Sequence, residues 1–357
     1  MDKLLYTAKT ALREDPVRLS GTLPDGCDAL VTADGRAFPA QNTEDDVTAI
    51  LTCAADEALI LTPGISDFPK MHLATGADCL AIERCGAVIG GYYWNHAIWK
   101  PYFGPICDDA GHPFTRIDFS AKEHPHHRSV YIAVGDVNGV DVWNEPADCG
   151  IVRVERLDDV VCGAAFTSFT AHNLWTDHAE TPLVRETTTY TMYNQSDACR
   201  MLDIAVTFTA DFGKVEFGAT KEAGPLGIRM RDELRADKGT GRITNARGEK
   251  TEAECWGHEA QWCDYTGTLP FGTMGVTAFD HPDNERYPTA WHVRDYGLFA
   301  ANNLYFKGGL TIPEGGSLTY RFRILFHRAK LTVDEVAAKY AQSCAECFLH
   351  RKIKQRR

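Results

Sequence analysis

Three histidines fall within four positions in the segment Glu123-His-Pro-His-His-Arg128. Histidine titrates near neutral pH and can donate or accept a proton, so such a cluster is typical of general acid–base chemistry. In an extended segment His124 and His126 would share one face, with His127 on the other. The segment therefore predicts His124 and His127 as proton-transfer residues, oriented by His126. The alternative is a loop whose histidines only hydrogen-bond the backbone.

The same cluster also suits a metal ion. Two histidines separated by one residue and sharing a face, as His124 and His126 would, form a pair that transition metals favour. A divalent metal held by His124 and His126 is therefore left open as a cofactor. The sequence has no glycine-rich nucleotide-binding loop, which argues against hydride or phosphoryl transfer.

Tryptophan among acidic and amide residues is typical of sugar binding, because the flat ring packs on C–H groups while polar side chains bind hydroxyls. Trp143 ends a segment that also contains Asp136, Asn138 and Asp141. Asn138-Gly139 has the composition of a hairpin turn, so Asn138 has a purely conformational alternative to ligand binding.

A later segment repeats this mixture of aromatic, basic and amide residues. We expect this later segment and the segment around Trp143 to form two walls of one site for a polyhydroxylated ligand. Its candidate binding residues are His281, Asn284, Trp291, His292, Arg294, Tyr296 and Asn302.

Basic residues near the histidines are predicted to neutralise a carboxylate or a developing enolate. These are Lys100, Arg116 and Arg128, with Tyr102 as a neighbouring ligand contact. Glu222 is a third proton-transfer candidate, because a carboxylate at the end of a strand could pair with a histidine. The alternative for Glu222 is an exposed strand-end glutamate.

Alternating apolar and polar residues indicate the elements that must position these groups. The segments 202–208 and 318–326 both alternate with a period of two, which predicts half-buried strands. Further strand patterns recur along the chain with short breaks and no helix between them. The fold class is therefore predicted as mainly β, a large antiparallel two-sheet sandwich.

Both ends of the chain differ from this pattern. Residues 1–64 contain few aromatics and short alternations, which predict a small N-terminal β subdomain before the sandwich of residues 65–330. Thr332 and Glu335 form a capping box that predicts a helix within residues 331–357, followed by the basic tail 351–357.

Charge and composition exclude several functional classes. The 37 basic residues are outnumbered by 49 acidic ones, giving a net charge of −12, which disfavours nucleic acid and anionic membranes as partners. No apolar run approaches the ~18 residues of a membrane helix. With 12 cysteines and no signal peptide at its start, the chain is expected in the reducing cytoplasm. Its oligomeric state leaves no mark on the sequence.

Several motifs together resemble the bacterial PmoA-like family, whose sequences carry the label "methane oxygenase PmoA". The resembling segments are Lys100–Pro105, Glu123–Arg128, Gly135–Trp143, Thr220–Gly224, His281–Asn284 and Trp291–Gly297. The usual family motif has Asp and Gly where this chain has Glu123 and Ser129. The resemblance implies a soluble β-sandwich similar to galactose mutarotase-like proteins and an association with sugar metabolism.

These observations predict a carbohydrate-active enzyme that uses histidine acid–base chemistry on a sugar or keto-sugar glycoside. The reaction would be hydrolysis, elimination or epimerisation, with metal assistance left open. The first alternative is a non-catalytic carbohydrate-binding protein. The second is a soluble metal-dependent oxygenase.

Overall fold

The computed structural model describes residues 3–44, 46–95, 97–116, 120 and 122–346. The predicted basic tail, residues 351–357, lies outside the described residues. Within the described part the chain is mainly β with antiparallel sheets, a small N-terminal sheet and a C-terminal helix, as the alternation predicted.

The N-terminal sheet has six antiparallel strands in the order β1-β6-β3-β4-β5-β2. Its strands are Leu4–Thr7 (β1), Leu12–Ser20 (β2), Ala29–Val31 (β3), Ala37–Asn42 (β4), Asp46–Cys53 (β5) and Ala58–Gly64 (β6). Apolar residues on its inner face, such as Val17, Val47 and Leu61, form a core of their own.

A second sheet, called the front sheet below, has eight antiparallel strands. They are Met71–Thr75 (β7), Cys79–Arg84 (β8), Ala87–Tyr93 (β9), Tyr102–Phe103 (β10), Val130–Val134 (β11), Ala223–Arg229 (β17), Trp291–Arg294 (β21) and Leu298–Asn302 (β22). The spatial order is β21-β22-β17-β11-β10-β9-β8-β7, so strands far apart in sequence become neighbours.

The third sheet, called the back sheet, also has eight antiparallel strands, in the order β12-β13-β14-β15-β24-β20-β19-β18. They are Ile151–Cys162 (β12), Phe166–Thr176 (β13), Pro182–Tyr193 (β14), Cys199–Thr209 (β15), Arg242–Asn245 (β18), Trp262–Leu269 (β19), Gly272–Asp280 (β20) and Ser317–His327 (β24). Val215–Phe217 (β16) and Leu310–Ile312 (β23) form a separate two-stranded ribbon.

The front and back sheets pack face to face around the largest core of the molecule. Alternate residues of each strand enter it, for example Ile132 of β11 and Ile204 of β15. Because successive side chains of a strand point to opposite faces, the residues between them lie on the outer faces of the sandwich. The outer face of the front sheet is thus free to carry polar residues.

Three α-helices occur in the described part of the chain: Thr251–Cys255 (α1), Asn303–Lys307 (α2) and Val333–Glu346 (α3). The predicted capping box at the start of α3 is confirmed, since Thr332 N donates to Glu335 Oε2 at 2.8 Å and Glu335 N donates to Thr332 Oγ1 at 3.2 Å. Helix α3 packs Val336 against back-sheet residues such as Phe279. It therefore covers the outer face of the back sheet.

No helix in the described ranges has both the length and the apolar composition needed to cross a bilayer. The cysteines of the described part are all free thiols. Several of them, including Cys255 and Cys263, are buried, as free cysteines often are.

Candidate functional site

The polar residues predicted to do chemistry collect on the outer face of the front sheet. In β21, Trp291 and Val293 enter the core, while His292 and Arg294 line a pocket on the opposite face. In β11, Tyr131 lies on that outer face between the core residues Val130 and Ile132. The period of two therefore sorts each strand into a core set and a site set.

The pocket is a cavity of about 270 Å³. That volume lies at the small end of ligand sites and fits one ring-sized molecule rather than a polymer chain. Its lining residues are His124, His126, His127, Trp143, Asn144, Lys221, Glu222, His292, Arg294, Tyr296 and Leu298. The histidine loop and the segment after residue 290 thus form walls of the same pocket.

Aromatic rings stack along one wall of the pocket. The ring of Tyr296 lies 4.4 Å from that of His124 with an interplanar angle of 11°, and His124 lies 4.9 Å from His127 at 5°. The buried Trp143 meets His127 edge-on at 5.9 Å. Stacking of this kind holds the imidazoles in one orientation, so they are pre-positioned rather than mobile.

Arg116 holds the histidine loop through its backbone. Its Nη1 donates to the carbonyl of His124 at 3.0 Å and its Nη2 donates to the carbonyl of Glu123 at 2.9 Å. Ser129 follows the loop with φ of 50°, a left-handed conformation that favours glycine, and its hydroxyl donates to Arg116 O at 2.7 Å. The Glu123 side chain turns outward to Arg235, with 2.7 Å between Oε2 and Nη1.

A largely buried carboxylate, that of Glu145, holds the segment that contains Trp143. Both oxygens of Glu145 accept from the guanidinium of Arg128, and Oε1 also accepts from Lys100 Nζ at 3.1 Å. Lys100 Nζ donates in addition to the carbonyl of Trp143 at 2.6 Å. These three charged residues therefore stabilise the floor of the pocket from below.

His292 has a defined protonation state. Its Nδ1 lies 2.6 Å from the carbonyl oxygen of Lys221, which can only accept, so Nδ1 carries the proton. Burial lowers the pKa of His292 to about 4, so the ring is neutral at pH 7. Nε2 therefore keeps a lone pair, which makes His292 a base or hydrogen-bond acceptor.

Asn302 fixes the same carbonyl from a second direction. Its Nδ2 donates to Lys221 O at 3.0 Å, and its Oδ1 accepts from Tyr305 N at the start of α2. Asn302 thus positions the segment that presents Lys221 and Glu222 to the pocket, and it acts through the backbone rather than by lining the cavity.

His127 has the opposite tautomer to His292. Arg229, which can only donate, places Nη1 3.4 Å from His127 Nδ1, so the proton of the neutral ring lies on Nε2. Burial is the main cause that lowers the pKa of His127, followed by the repulsion that a protonated His126 would exert and by the charge of Arg229. The pocket therefore contains one imidazole with an acceptor Nε2 and one with a donor Nε2.

The other two histidines are also held neutral. Burial, and after it the charges of nearby groups with Lys100 first, lower the pKa of His126 to about 3. Burial and Arg229 lower the pKa of His124, whose Nδ1 has no hydrogen-bond partner among the described residues. All four pocket histidines are thus uncharged at neutral pH.

We expect the pocket histidines to make folding stability depend on pH between about 6.5 and 3. An unfolded histidine binds a proton below its usual pKa of 6.5, whereas folded His126 does so only near 3, so stability is complete above 6.5 and is lost as the pH falls through this window. His126→Gln should reduce the difference in unfolding free energy between pH 7 and pH 5 by about 1–2 kcal/mol. Urea unfolding at both pH values measures it. An equal pH dependence in both proteins would contradict the burial of a neutral His126.

Charged side chains stand at the pocket mouth. Lys221 Nζ lies 3.2 Å from Glu222 Oε1, and Arg294 Nη1 lies 3.1 Å from Glu252 Oε1. Arg294 and Arg229 both lie against the Tyr296 ring, with guanidinium carbons 5.7 and 5.2 Å from its centre. Glu222 is the carboxylate that lines the pocket within the described part of the chain.

The structure places the basic residues that were predicted to neutralise a ligand outside the pocket lining. Lys100, Arg116 and Arg128 are 1%, 2% and 7% exposed, and none of them lines the pocket. Each donates to protein carbonyls or carboxylates instead, because a buried cation needs such partners. They therefore support the loops that bear the pocket residues rather than face a ligand.

Other predicted binding residues also lie outside the pocket lining. Trp291 is fully buried in the core and donates from Nε1 to Ala260 O at 2.9 Å. Tyr102 stacks on Tyr93 at 5.5 Å. Asn138 is an exposed turn residue with φ of 54°, and its Oδ1 accepts from Glu216 N. The strand period and the turn, respectively, explain why Trp291 and Asn138 cannot reach the pocket.

His281 and Asn284 belong to a structural turn after β20. His281 Nδ1 accepts from Asp283 N at 3.0 Å, while Asn284 Nδ2 donates to Asp280 Oδ1 and to Arg321 O, both at 2.7 Å. Neither residue lines the pocket: Asn284 bridges β20 and β24, and His281 closes the turn between residues 281 and 283.

Sequence reasoning missed Lys221, Asn144 and Leu298 in the pocket lining, and it missed Glu145 and Arg229 beneath it. Lys221 precedes the predicted Glu222, and Asn144 follows the predicted Trp143, so adjacency was the available signal. Leu298 carries no chemical signal. Arg229 pairs with a histidine 102 positions away, which no local pattern reveals.

A metal site is not formed by the described side chains as they stand. No group of three or more His, Cys, Asp or Glu residues in the described ranges is arranged to hold a metal ion. His124 and His126, the predicted pair, have rings 6.0 Å apart and edge to face. Two such ligands without a third fall short of the usual coordination set.

A larger cavity of about 470 Å³ lies between the N-terminal sheet and the sandwich. Apolar residues such as Phe38, Ile50 and Phe68 form much of its wall. Its Arg36 pairs with Glu57 at 2.6 Å, and its Arg84 with Asp109 at 2.5 Å. No histidine in the described part of the chain lines this cavity, and its polar residues pair with one another, as Arg84 does with Asn194 and Ser196 with Glu14. The smaller pocket, with its four histidines, is therefore the candidate site.

Comparison with known proteins gives a family but no activity. A family of unknown function, DUF6807, matches residues 80–341, which is most of the chain and includes the whole pocket lining. The match gives no support to the PmoA-like resemblance. No curated protein matches the chain.

Solved structures resemble the chain only distantly. A TPR-domain containing protein from Parabacteroides distasonis has 9% identity and a TM-score of 0.29, over 93% of this chain and 56% of that one. An alpha-galactosidase from Lactobacillus brevis has 10% identity and a TM-score of 0.33, over 90% of this chain and 42% of that one. The chain spans about half the length of these proteins, and likeness at this level supports no conclusion about fold or activity.

Proposed function

Since the chain belongs to the DUF6807 family, whose function is unknown, its activity must be argued from the pocket, and we propose that it is a carbohydrate-active enzyme. It would use histidine acid–base chemistry on one sugar or keto-sugar unit. Of hydrolysis, elimination and epimerisation, we favour the last two, both of which begin with abstraction of a proton from carbon.

The observation on which this proposal depends is the fixed tautomer of His292. A neutral imidazole with Nδ1–H bound to Lys221 O offers Nε2 as a base without losing its orientation. Arg294, two residues along the same strand, lines the same pocket. A guanidinium beside a base is the pairing that stabilises the negative charge produced when a carbon loses a proton.

Hydrolysis of the usual kind is less well supported. Most glycosidases place two carboxylic groups across the bond that is broken, one as acid and one as base or nucleophile. Within the described lining Glu222 is the single carboxylate, and the remaining ionisable groups are histidines, the cations Lys221 and Arg294, and the Tyr296 phenol. This residue set suits proton transfer more than displacement at the anomeric carbon.

The proposed step transfers one proton and one electron pair. Nε2 of His292 takes a proton from the carbon next to a carbonyl, and the C–H electron pair forms an enolate whose oxygen lies against a cation such as Arg294. In elimination the enolate expels the neighbouring oxygen, which takes a proton from an acid; in epimerisation a proton returns to the opposite face of the carbon. Glu222, His124 and His127 remain the candidates for this second proton transfer.

A non-catalytic sugar-binding protein is the second candidate, and the stacked wall favours it. Tyr296 on His124, with Trp143 behind, makes an aromatic surface beside polar groups, which is sufficient for sugar binding without turnover. The two candidates differ in one measurable result, which is whether the ligand changes.

The test is incubation of the protein in D₂O with a panel of plain and 3-keto glycosides, with and without added divalent metal, followed by NMR. Epimerisation should exchange the carbon-bound proton next to the carbonyl for deuterium, and elimination should remove that proton and leave a carbon–carbon double bond. Cleavage that leaves this proton in place would favour hydrolysis, and binding without any change would favour the second candidate. Either result would contradict the proposed carbon-acid chemistry.

A further inference from the structure

Cations outnumber carboxylates in the pocket wall. Lys221 and Arg294 line the pocket as cations, against the one carboxylate of Glu222 within the described lining. Glu222 lies 3.2 Å from Lys221 Nζ, so it offsets that charge first. Arg294 pairs with Glu252 outside the lining, while its Nε is buried and has no hydrogen-bond partner among the described residues.

A second layer of positive charge lies directly beneath the aromatic wall. Arg229 is fully buried, and its Nη2 lies 3.1 Å from Asp232 Oδ1. Arg116, also buried, reaches the same carboxylate at 4.0 Å. Asp232 is 48% exposed, so water weakens its compensation of these two guanidinium groups.

The local charge is therefore opposite in sign to that of the whole chain, whose net charge is −12. The neutral histidines agree with this. After burial, the causes that lower the pKa of His124 and His127 include Arg229, and those that lower the pKa of His292 include Arg294. A positive pocket in an acidic protein attracts an anion selectively.

We propose that the ligand of this pocket is a sugar acid whose carboxylate binds against Arg294 and Lys221. The inference rests on the proposed function for the sugar part and deepens it by naming the substrate class. The lining holds one more cation than carboxylates, and Arg294, although paired with Glu252, keeps a buried Nε without a partner among the described residues. The planar fork of its guanidinium matches a carboxylate. The cavity of about 270 Å³ holds one such ring.

The carboxylate also fits the proposed chemistry. The carbon next to a carboxylate becomes more acidic when cations neutralise that group. His292 Nε2 would take the proton from this carbon, its electron pair would form a double bond to the neighbouring carbon, and the oxygen on that neighbour would leave with a proton. No oxidant, reductant or further reactant is needed for this balance.

The experiment compares binding of matched sugars, measured by calorimetry under conditions without turnover. The pairs are glucuronate with glucose and galacturonate with galactose, and glucose 6-phosphate probes a phosphate instead. We expect each acid to bind about tenfold or more tightly than its neutral partner, as charge-assisted hydrogen bonds imply. Added salt should reduce this preference.

Substitutions in the pocket test whether its cations cause the preference for acid over neutral sugars. Arg294→Met and Lys221→Met should each lower the acid preference, whereas Lys214→Met should leave it unchanged, since Lys214 is an exposed lysine paired with Glu216. Circular dichroism melting of each variant checks that it is folded. Four results would each overturn the inference. The first two are equal binding of acid and neutral sugars, and no binding of any sugar. The others are tighter binding of glucose 6-phosphate than of glucuronate, and an acid preference that survives in Arg294→Met.

The result separates this inference from the proposed function. Selective binding of sugar acids by a protein that converts none of them would support the inference and contradict the enzyme. Deuterium exchange into neutral keto-glycosides without any acid preference would support the enzyme and overturn the inference.

Discussion

His292→Asn is expected to lower turnover by about 100-fold or more while sugar binding changes only a few-fold. General acid–base groups typically contribute 10²–10⁴-fold. Asparagine can still donate from Nδ2 to the Lys221 carbonyl, as His292 Nδ1 does at 2.6 Å. It lacks the basic Nε2, so the variant removes the base and keeps the hydrogen bond that anchors residues 221 and 222. Steady-state kinetics and calorimetry on the substrate found by the NMR panel measure the two effects.

The pH profile gives an independent reading of the same residue. Because the pKa of His292 is about 4, Nε2 keeps its lone pair down to that pH and loses it below. We expect kcat/KM of the wild type to stay level from pH 8 to pH 5 and to fall as the pH passes about 4. An acid limb near the ordinary histidine value of 6.5 would assign the base to another group.

His178→Asn is the matched control, since His178 is an exposed histidine in the turn between β13 and β14 of the back sheet. It should leave turnover and binding unchanged. If His292→Asn and His178→Asn behaved alike in turnover, His292 would not be the base. If His292→Asn weakened binding without changing the rate at saturation, the pocket would bind sugars without this chemistry.

Glu145→Ala is expected to destabilise the protein by about 3–5 kcal/mol, the usual cost of leaving a buried charge without its partner. Both Glu145 oxygens accept from Arg128, which is 7% exposed and keeps its charge at any pH that the fold tolerates. Lys100 loses the same partner, and it also holds the carbonyl of Trp143. Denaturant unfolding measures the loss of stability, and weaker sugar binding should accompany it.

A double substitution tests whether uncompensated charge is the cause. Arg128→Met should destabilise the wild type but should recover part of the stability in the Glu145→Ala background, because it removes the charge left without a carboxylate. Glu155→Ala is the control, since it removes the exposed partner of Arg185 and should cost about 0–1 kcal/mol. If the Arg128 and Glu145 effects simply added, the two residues would not form a buried ion pair.

Local patterns in the chain predicted its main strands and helix α3, although they did not predict the short helices α1 and α2. The alternation over 202–208 and 318–326 predicted two strands. In the structure these strands are neighbours, with Asp203 opposite Arg323. The capping box predicted the start of α3. These features depend on residues within one turn or one strand of each other, so they can be recognised without knowing the fold.

The candidate site was predicted in part. The histidine loop, Trp143, Glu222, His292, Arg294 and Tyr296 were all chosen from residue type and line the pocket. Trp291 was chosen for the same reason as His292. Adjacent residues of a strand point to opposite faces of the sheet, however, so Trp291 is buried in the core. Residue type alone could not tell which of the two neighbours would face a ligand.

The sequence by itself determined a mainly β chain, the position of its C-terminal helix and a set of residues able to transfer protons, because strand period, capping and side-chain chemistry are local properties. Only the tertiary structure decided that β11, β17, β22 and β21 lie side by side and so bring residues 124–127, 143–144, 221–222 and 292–298 into one cavity. It also decided that Lys100, Arg116 and Arg128 support the loops instead of facing a ligand. The reason is physical: strand order and the pairing of buried charges depend on contacts between residues that are distant in the chain.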